Sequence, residues 1–215
     1  MTPLLTVPDR VERDDLAVFV ARAVRLDASV VVRLRAEDAR VDAWAATPFD
    51  ALVTRAARGN LEPRDVTVVG SDLLAALAVV GGASVEPGTG VDERWRGPLP
   101  GGGPWVRLDD VPGDVLDGLA EQGVAAAREG DPPGRPSAAL LDQVVLTVRS
   151  HGPDATPDEA RVPMRCVFAL AGMGFLGEGA GPVRVSVGGD WMRLDTHGGA
   201  VVRRRRRASL DLRPA

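Results

Sequence analysis

The sequence predicts an α+β protein in two parts: a small antiparallel-sheet domain with flanking helices over residues 1–80, and a winged-helix-like domain over residues 105–215. Three observations carry this. Residues 30–46 alternate apolar and polar side chains around a turn, the period of a half-buried antiparallel hairpin. Residues 81–104 hold eight Gly and four Pro, a density that interrupts helix and sheet alike and marks a linker. Beyond it, three helical stripes precede three short strand-like segments joined by glycine turns, which is the element order of a winged helix.

Taken in order, Asp14 or Asp15 is placed to cap a first helix, because Leu16, Phe19, Val20, Ala23 and Val24 recur at helical spacing up to Leu26. Val30–Arg35 and Val41–Ala46 form the hairpin around Glu37-Asp38-Ala39, and Ala51–Ala57 and Asp65–Val69 supply two more strands. Ser71-Asp72 opens a short, very apolar helix over residues 73–77. After the linker, Val115, Leu116, Leu119 and Val124 make a helix whose outer face is acidic (Asp114, Asp117, Glu121), stopped by Gly130-Asp131-Pro132-Pro133-Gly134. Ser137 caps the next, striped by Leu140, Leu141, Val144, Val145 and Val148. Thr156-Pro157-Asp158-Glu159 is a capping box with proline at the first helical position, so a short helix starts there; Pro163 ends it and opens another that runs to about Met173. Val183–Val187, Trp191–Thr196 and Ala200–Arg206 then read as a β-meander.

The composition leaves little for catalysis. All 26 basic residues are Arg, Lys, Tyr and Ile are absent, and the chain holds two His (His151, His197) and one Cys (Cys166). Those three residues are too few and too dispersed for a zinc site, so no metal and no cofactor are expected. Without an apolar run of about 18 residues or a leader-like N-terminus, a cytoplasmic protein with no membrane partner is expected. The net charge of −4 conceals a polarity: residues 181–215 carry eight Arg against Asp190, Asp195 and Asp211, which is +5, leaving −9 on the rest.

Candidate sites are weighed against plainer readings. Gly172-Met-Gly174-Phe-Leu-Gly177 matches a dinucleotide fingerprint, but Glu178-Gly-Ala-Gly-Pro182 follows where a helix must start, so glycines ending an apolar helix are the better reading. Asp109, Asp110, Asp114 and Asp117 read as a solvated helix start, and Cys166, beside Val167 and Phe168, as core. Trp191, Asp195 and His197 could furnish a small hydrolase or ligand site if they converge. The strongest demand for a partner is Arg203, Arg204, Arg205, Arg206 and Arg207, which with Arg193 on the preceding strand form a basic hairpin. Such a hairpin fits an acidic protein surface or, without sequence preference, a nucleic-acid backbone; it also fits a charged sheet edge, exposed and of little weight for stability. Sequence-specific DNA reading is disfavoured, since residues 163–175 offer only Arg165 as a polar side chain. The expected function is that of a non-enzymatic interaction module.

Two resemblances accompany these readings. Gly174-Phe-Leu-Gly177, then Trp191-x-Arg193-Leu194-x-Thr196-x-x-Gly199-x-Val201-Val202-x-Arg204, with Phe19-x-Ala21-Arg22-Ala23-Val24-Arg25-Leu26-Asp27, resemble a conserved actinobacterial family of unknown function, which implies no activity or site. Residues 14–80, with Val66-Thr67-Val68 leading into Ser71-Asp72-Leu73-Leu74, are similar in element order to one domain of a bacterial DNA sliding clamp.

Overall fold

A computed structural model describes residues 2–78, 82–130, 136–150, 158–177 and 179–205. The chain runs β1 (Leu4–Thr6), α1 (Arg10–Leu26), β2 (Val31–Glu37), β3 (Arg40–Ala46), β4 (Leu52–Arg58), β5 (Asn60–Glu62), β6 (Asp65–Val69), α2 (Gly70–Ala78) and β7 (Ser84–Val85). It continues through β8 (Val106–Val111), α3 (Gly113–Gly130), α4 (Ala138–Asp142), β9 (Val144–Arg149), β10 (Glu159–Pro163), α5 (Met164–Gly172), β11 (Val183–Gly188), β12 (Trp191–Thr196) and β13 (Gly199–Arg204).

Eight of the strands form one antiparallel sheet in the order β6-β2-β3-β4-β13-β12-β11-β8. Each half contributes four neighbouring strands, and the halves meet where Leu52, Val53 and Thr54 pair with Val202, Val201 and Ala200. About that seam the arrangement repeats: a helix enters a three-strand meander running inward (α1 into β2-β3-β4, α5 into β11-β12-β13), and the outermost strand adjoins another helix (β6 with α2, β8 with α3). Two small sheets, β5-β1-β7 and β10-β9, are not hydrogen-bonded to it but bury Leu5, Leu61, Val148 and Val162 in the same core.

Alternation along each strand assigns its faces. Val32, Leu34, Ala43, Val53, Val201, Leu194 and Val185 are buried with Leu16 and Phe19 of α1, Leu73 of α2, Leu116 of α3 and Phe168 of α5, so these helices cover one face. Trp44, Ala200 and Val202 face the other way into a separate cluster with Leu52, Trp95, Leu99, Trp105 and Trp191.

The segment read as a linker supplies part of that second cluster. Val91 N donates to Thr67 O at 2.7 Å at the β6 edge, Arg94 Nη2 donates to Ser29 O at 3.0 Å, and Trp105 reaches Gly188 at the far end. Eight strands at ~4.8 Å spacing are about 33 Å wide, and residues 86–105 reach about 66 Å when extended, so the segment crosses the sheet with slack.

Several expectations are corrected. α1 is capped by Asp9, whose Oδ1 accepts from Val11 N at 2.7 Å and Glu12 N at 3.1 Å; Asp14 and Asp15 lie inside the helix and turn to Arg10 and Arg55. Ser137 does cap a helix, but α4 stops at Asp142 and the stripe continues as β9, where β-branched Val144, Val145, Thr147 and Val148 favour strand. Of the expected capping box, Thr156 and Pro157 lie outside the described residues, and Glu159–Pro163 is strand, with Ala160 and Val162 buried and Arg161 exposed. The β9–β10 hairpin therefore separates α4 from α5, and β8 precedes α3, which differs from three successive helices and a meander. Pro163 does open a buried helix, α5, with Met164 to Leu170 all inside. Finally, β13 is a central strand over Ala200–Val202, whereas Arg203 and Arg204 extend past β4 and pair with β12 alone.

Candidate interaction surfaces

Arg203, on the helix-covered face of β13, donates from Nη2 to Asp50 Oδ2 at 3.0 Å and from Nε to Asp50 O at 3.1 Å. Arg165 of α5 reaches the same Oδ2 at 3.3 Å and pairs also with Asp142. Asp50, in the β3–β4 turn with φ 55°, thus joins the two halves. Arg205 grips Asp158 with both Nη atoms and donates to Glu159 O at 2.8 Å, which ties the end of β13 to the start of β10. Arg206 and Arg207 lie outside the described residues. Two of the three described arginines of the run are therefore committed to carboxylates of the same chain.

Arg204 and Arg193 emerge on the opposite face. Arg204 lies over the Trp191 ring at 5.4 Å from its centroid, Arg193 over Trp105 at 5.8 Å, and Arg33 over Trp95 at 5.9 Å. Arg193 also pairs with Asp195 at 2.7 Å, and Arg33 with Asp65 at 2.8 Å. Those Asp65 contacts hold the Arg33 guanidinium above its ordinary pKa. Trp95, Trp105 and Trp191 are half-buried while Trp44 beneath them is buried, so all four tryptophans of the chain gather on one face. No sequence signal announced this, because the four are scattered from β3 to β12.

Trp191 stands apart from Asp195 and His197, which border one opening of about 190 Å³ together with Arg55 and Arg193. Trp191 pairs with Arg204 at one end of β12, whereas Thr196 pairs with Gly199 at the other, five residues or roughly 16 Å away. The Asp195 carboxylate is engaged by Arg193, and His197 is exposed in the β12–β13 turn.

His197 does border a cleft of about 270 Å³ on the helix side, between α1 and the loop after α5. Asp15, Val18, Phe19 and Arg22 line it from α1 at i, i+3, i+4 and i+7, and Arg55 reaches it from β4. The glycine fingerprint borders it too: α5 ends at Gly172, Gly174 takes φ 61°, and Phe175 turns back into the core, as expected of glycines ending a helix. Cys166 is fully buried, and that burial pushes its thiol up to about 12. Among the described residues no group of His, Cys, Asp and Glu could hold a metal ion, and no helix is long and apolar enough to cross a membrane.

The fold is similar to solved bacterial sliding clamps. The DNA polymerase sliding clamp of Pseudomonas aeruginosa, solved with ligand, aligns at TM-score 0.56 and 12% identity over 98% of this chain and 66% of that one. The griselimycin-bound clamp of Bartonella birtlesii aligns at TM-score 0.56 and 14% identity over 98% and 67%. The beta sliding clamp of C. crescentus aligns at TM-score 0.54 and 14% identity over 97% and 66%. The chain thus spans about two thirds of the clamps it matches, and at such identities the likeness is one of fold. The resemblance read over residues 14–80 extends to the whole chain. A comparison with curated proteins finds no significant match. Residues 1–97 match the family model described as domain of unknown function DUF8010. Residues 100–208, half of the chain, match the domain of unknown function DUF8185, and the chain belongs to that family.

Proposed function

We propose that the protein is a non-enzymatic interaction module whose clamp-like sheet presents Trp95, Trp105 and Trp191, with Arg33, Arg193 and Arg204, to an acidic protein surface. The observation that carries this reading is the stacking of an arginine on each of three half-buried tryptophans on one face of the sheet. Trp and Arg are the residue types that dominate binding energy in protein interfaces, because they join a large apolar area to directional hydrogen bonding. Strands β2, β12 and β13 hold Arg33, Trp191, Arg193 and Arg204, and Trp95 and Trp105 pack on the sheet from the crossing segment, so little side-chain freedom is lost on docking.

The solved clamps are named for DNA polymerase, which raises nucleic acid as a second partner. The charge of two helices argues against it here. α3 carries Asp114, Asp117, Glu121 and Glu129 against Arg128, and α2 adds Asp72, so a phosphate backbone along α2 and α3 would meet like charge.

The test titrates poly-glutamate and a short single-stranded DNA against the protein at ~50 mM salt while tryptophan emission is read. With no Tyr in the chain, emission reports this face alone. Poly-glutamate should change the emission, and the double substitution Arg33→Glu and Arg204→Glu should abolish the change. An equal response to DNA would restore the phosphate reading; silence toward both probes would end the proposal.

A further inference from the structure

We propose that the cleft between α1 and the β12–β13 turn is a binding site for a small organic anion, with Arg22 receiving the oxyanion and Val18, Phe175 and Leu176 receiving an apolar body. The site lies on the helix side of the sheet, away from the tryptophan face, and does not depend on the function proposed above.

Charge balance within the cleft comes first. One carboxylate, Asp15, faces two guanidiniums, Arg22 and Arg55, and Arg55 takes it with Nη2 while donating from Nη1 to His197 O at 3.1 Å. Arg22 is left with a single donation, from Nη1 to Gly174 O at 3.1 Å, and among the described residues no carboxylate lies within ion-pair reach of it. A half-buried guanidinium carries five N–H donors in a rigid fork matched to carboxylate and phosphate oxygens, and burial raises the cost of leaving them unused.

The backbone keeps this fork open. A Cβ at Gly174 would stand 3.2 Å from Arg22 Cζ, so any side chain there would crowd the guanidinium, and φ of 61° independently favours glycine. Gly198 and Gly199 likewise admit the Phe175 ring, which a Cβ at either would approach to 2.8 Å. Phe175 is thereby buried as the apolar floor, while Val18 on α1 stays exposed at the mouth. A dry cavity of ~150 Å³ already takes benzene, so about 270 Å³ admits a ring-sized body with one acid group.

Four probes test the site by isothermal titration calorimetry on the full chain: phenyl phosphate, phenylacetate, inorganic phosphate and benzyl alcohol. Phenyl phosphate or phenylacetate should bind, and the stronger of the two identifies the acid group. Inorganic phosphate should bind more weakly for want of the apolar body, and benzyl alcohol should not bind. Arg22→Gln should weaken the better anion by about tenfold or more, and Arg22→Lys should recover part of that loss because charge returns without the fork. Val18→Glu, at an exposed position, should also weaken binding and guards against a folding defect in the Arg22 variants. Arg204→Glu should change nothing here. Binding of benzyl alcohol as tight as that of phenylacetate, an unaltered affinity in Arg22→Gln, or no binding of either aromatic anion in the low millimolar range would overturn the proposal.

Discussion

Arg203 and Asp50 are joined at two points, guanidinium to carboxylate at 3.0 Å and guanidinium to the Asp50 backbone oxygen at 3.1 Å. One residue belongs to β13 and the other to the β3–β4 turn, so the pair fastens the C-terminal half to the N-terminal half beside the strand seam. Arg165 holds the same carboxylate from α5, with only 9% of its side chain exposed. A run that reads as surplus charge is in this respect a fastening.

Substitution along the run should therefore be uneven. Arg203 and Arg205 have side chains 14% and 22% exposed, so Arg203→Ser or Arg205→Ser, each removing charged hydrogen bonds between distant segments, should lower stability by about 1 kcal/mol. Arg204→Ser should cost under about 0.5 kcal/mol. Urea denaturation of the three variants checks this, and equal small effects would return the run to a mere solvated charge cluster.

Cys166 gives stability a dependence on alkaline pH. Burial is the main cause of its raised pKa; Arg203 and Arg165 oppose the shift, and Asp50 adds to it. Between the ordinary thiol value of 9.0 and about 12, the unfolded chain releases a proton that the folded chain keeps. The contribution is fully present below pH 9 and is lost as pH rises toward 12, with a slope of at most about 1.4 kcal/mol per pH unit. Denaturation midpoints of wild type and Cys166→Ala should differ by a constant amount below pH 9 and converge above it. Reaction with a thiol reagent at pH 9 should follow global unfolding; rapid labelling of the native state would contradict the burial.

Two glycines of α3 should respond oppositely to alanine. A Cβ at Gly123 would stand 2.7 Å from Met164 Sδ and 2.8 Å from Phe168 Cε1, so Gly123→Ala should destabilise by about 1–3 kcal/mol by forcing α3 from α5. Gly118 has nothing within 4 Å of that position, and Gly118→Ala should add about 0.5–1 kcal/mol through helix propensity. Thermal melts separate the two, and a stabilising Gly123→Ala would deny the close helix approach.

The crossing segment should cut without coming apart. Arg96 is exposed and lies between Trp95 and Leu99, which are packed on the sheet, so trypsin should nick after Arg96 early. The two fragments should co-elute in native gel filtration and separate only in denaturant, because β4 and β13 remain paired. Fragments that separate without denaturant would make the halves independent domains.

How much of this was legible in the sequence depended on how far the deciding contact lies along the chain. The β2–β3 and β11–β12–β13 segments alternate and turn within a few residues, at Asp38-Ala39, Gly189-Asp190 and His197-Gly198, and were read closely. β9 was not, because Leu140, Leu141, Val144, Val145 and Val148 satisfy helical spacing as well as they serve a short helix followed by a strand, and β10 decides between them. β8 carries no local strand pattern because Val106, Arg107 and Asp109 are exposed, and only pairing with β11 makes it a strand. The partners of Arg203 and Arg205, the tryptophan cluster and the Arg22 cleft are all assembled by tertiary pairing, which no local pattern encodes.

The seam between β4 and β13 also governs the order in which the molecule can be completed. Residues 52–54 pair with residues 200–202, so the N-terminal half emerges from the ribosome with β4 as an open strand edge until nearly all of the described chain has followed. Loop closure over that separation is slow, and an unpaired edge bearing Leu52 and Val53 is a template for another chain. During that interval the vulnerable species is a nascent half-sheet awaiting β13, and chaperone dependence in expression should rise when β13 is weakened, even where the folded protein is stable.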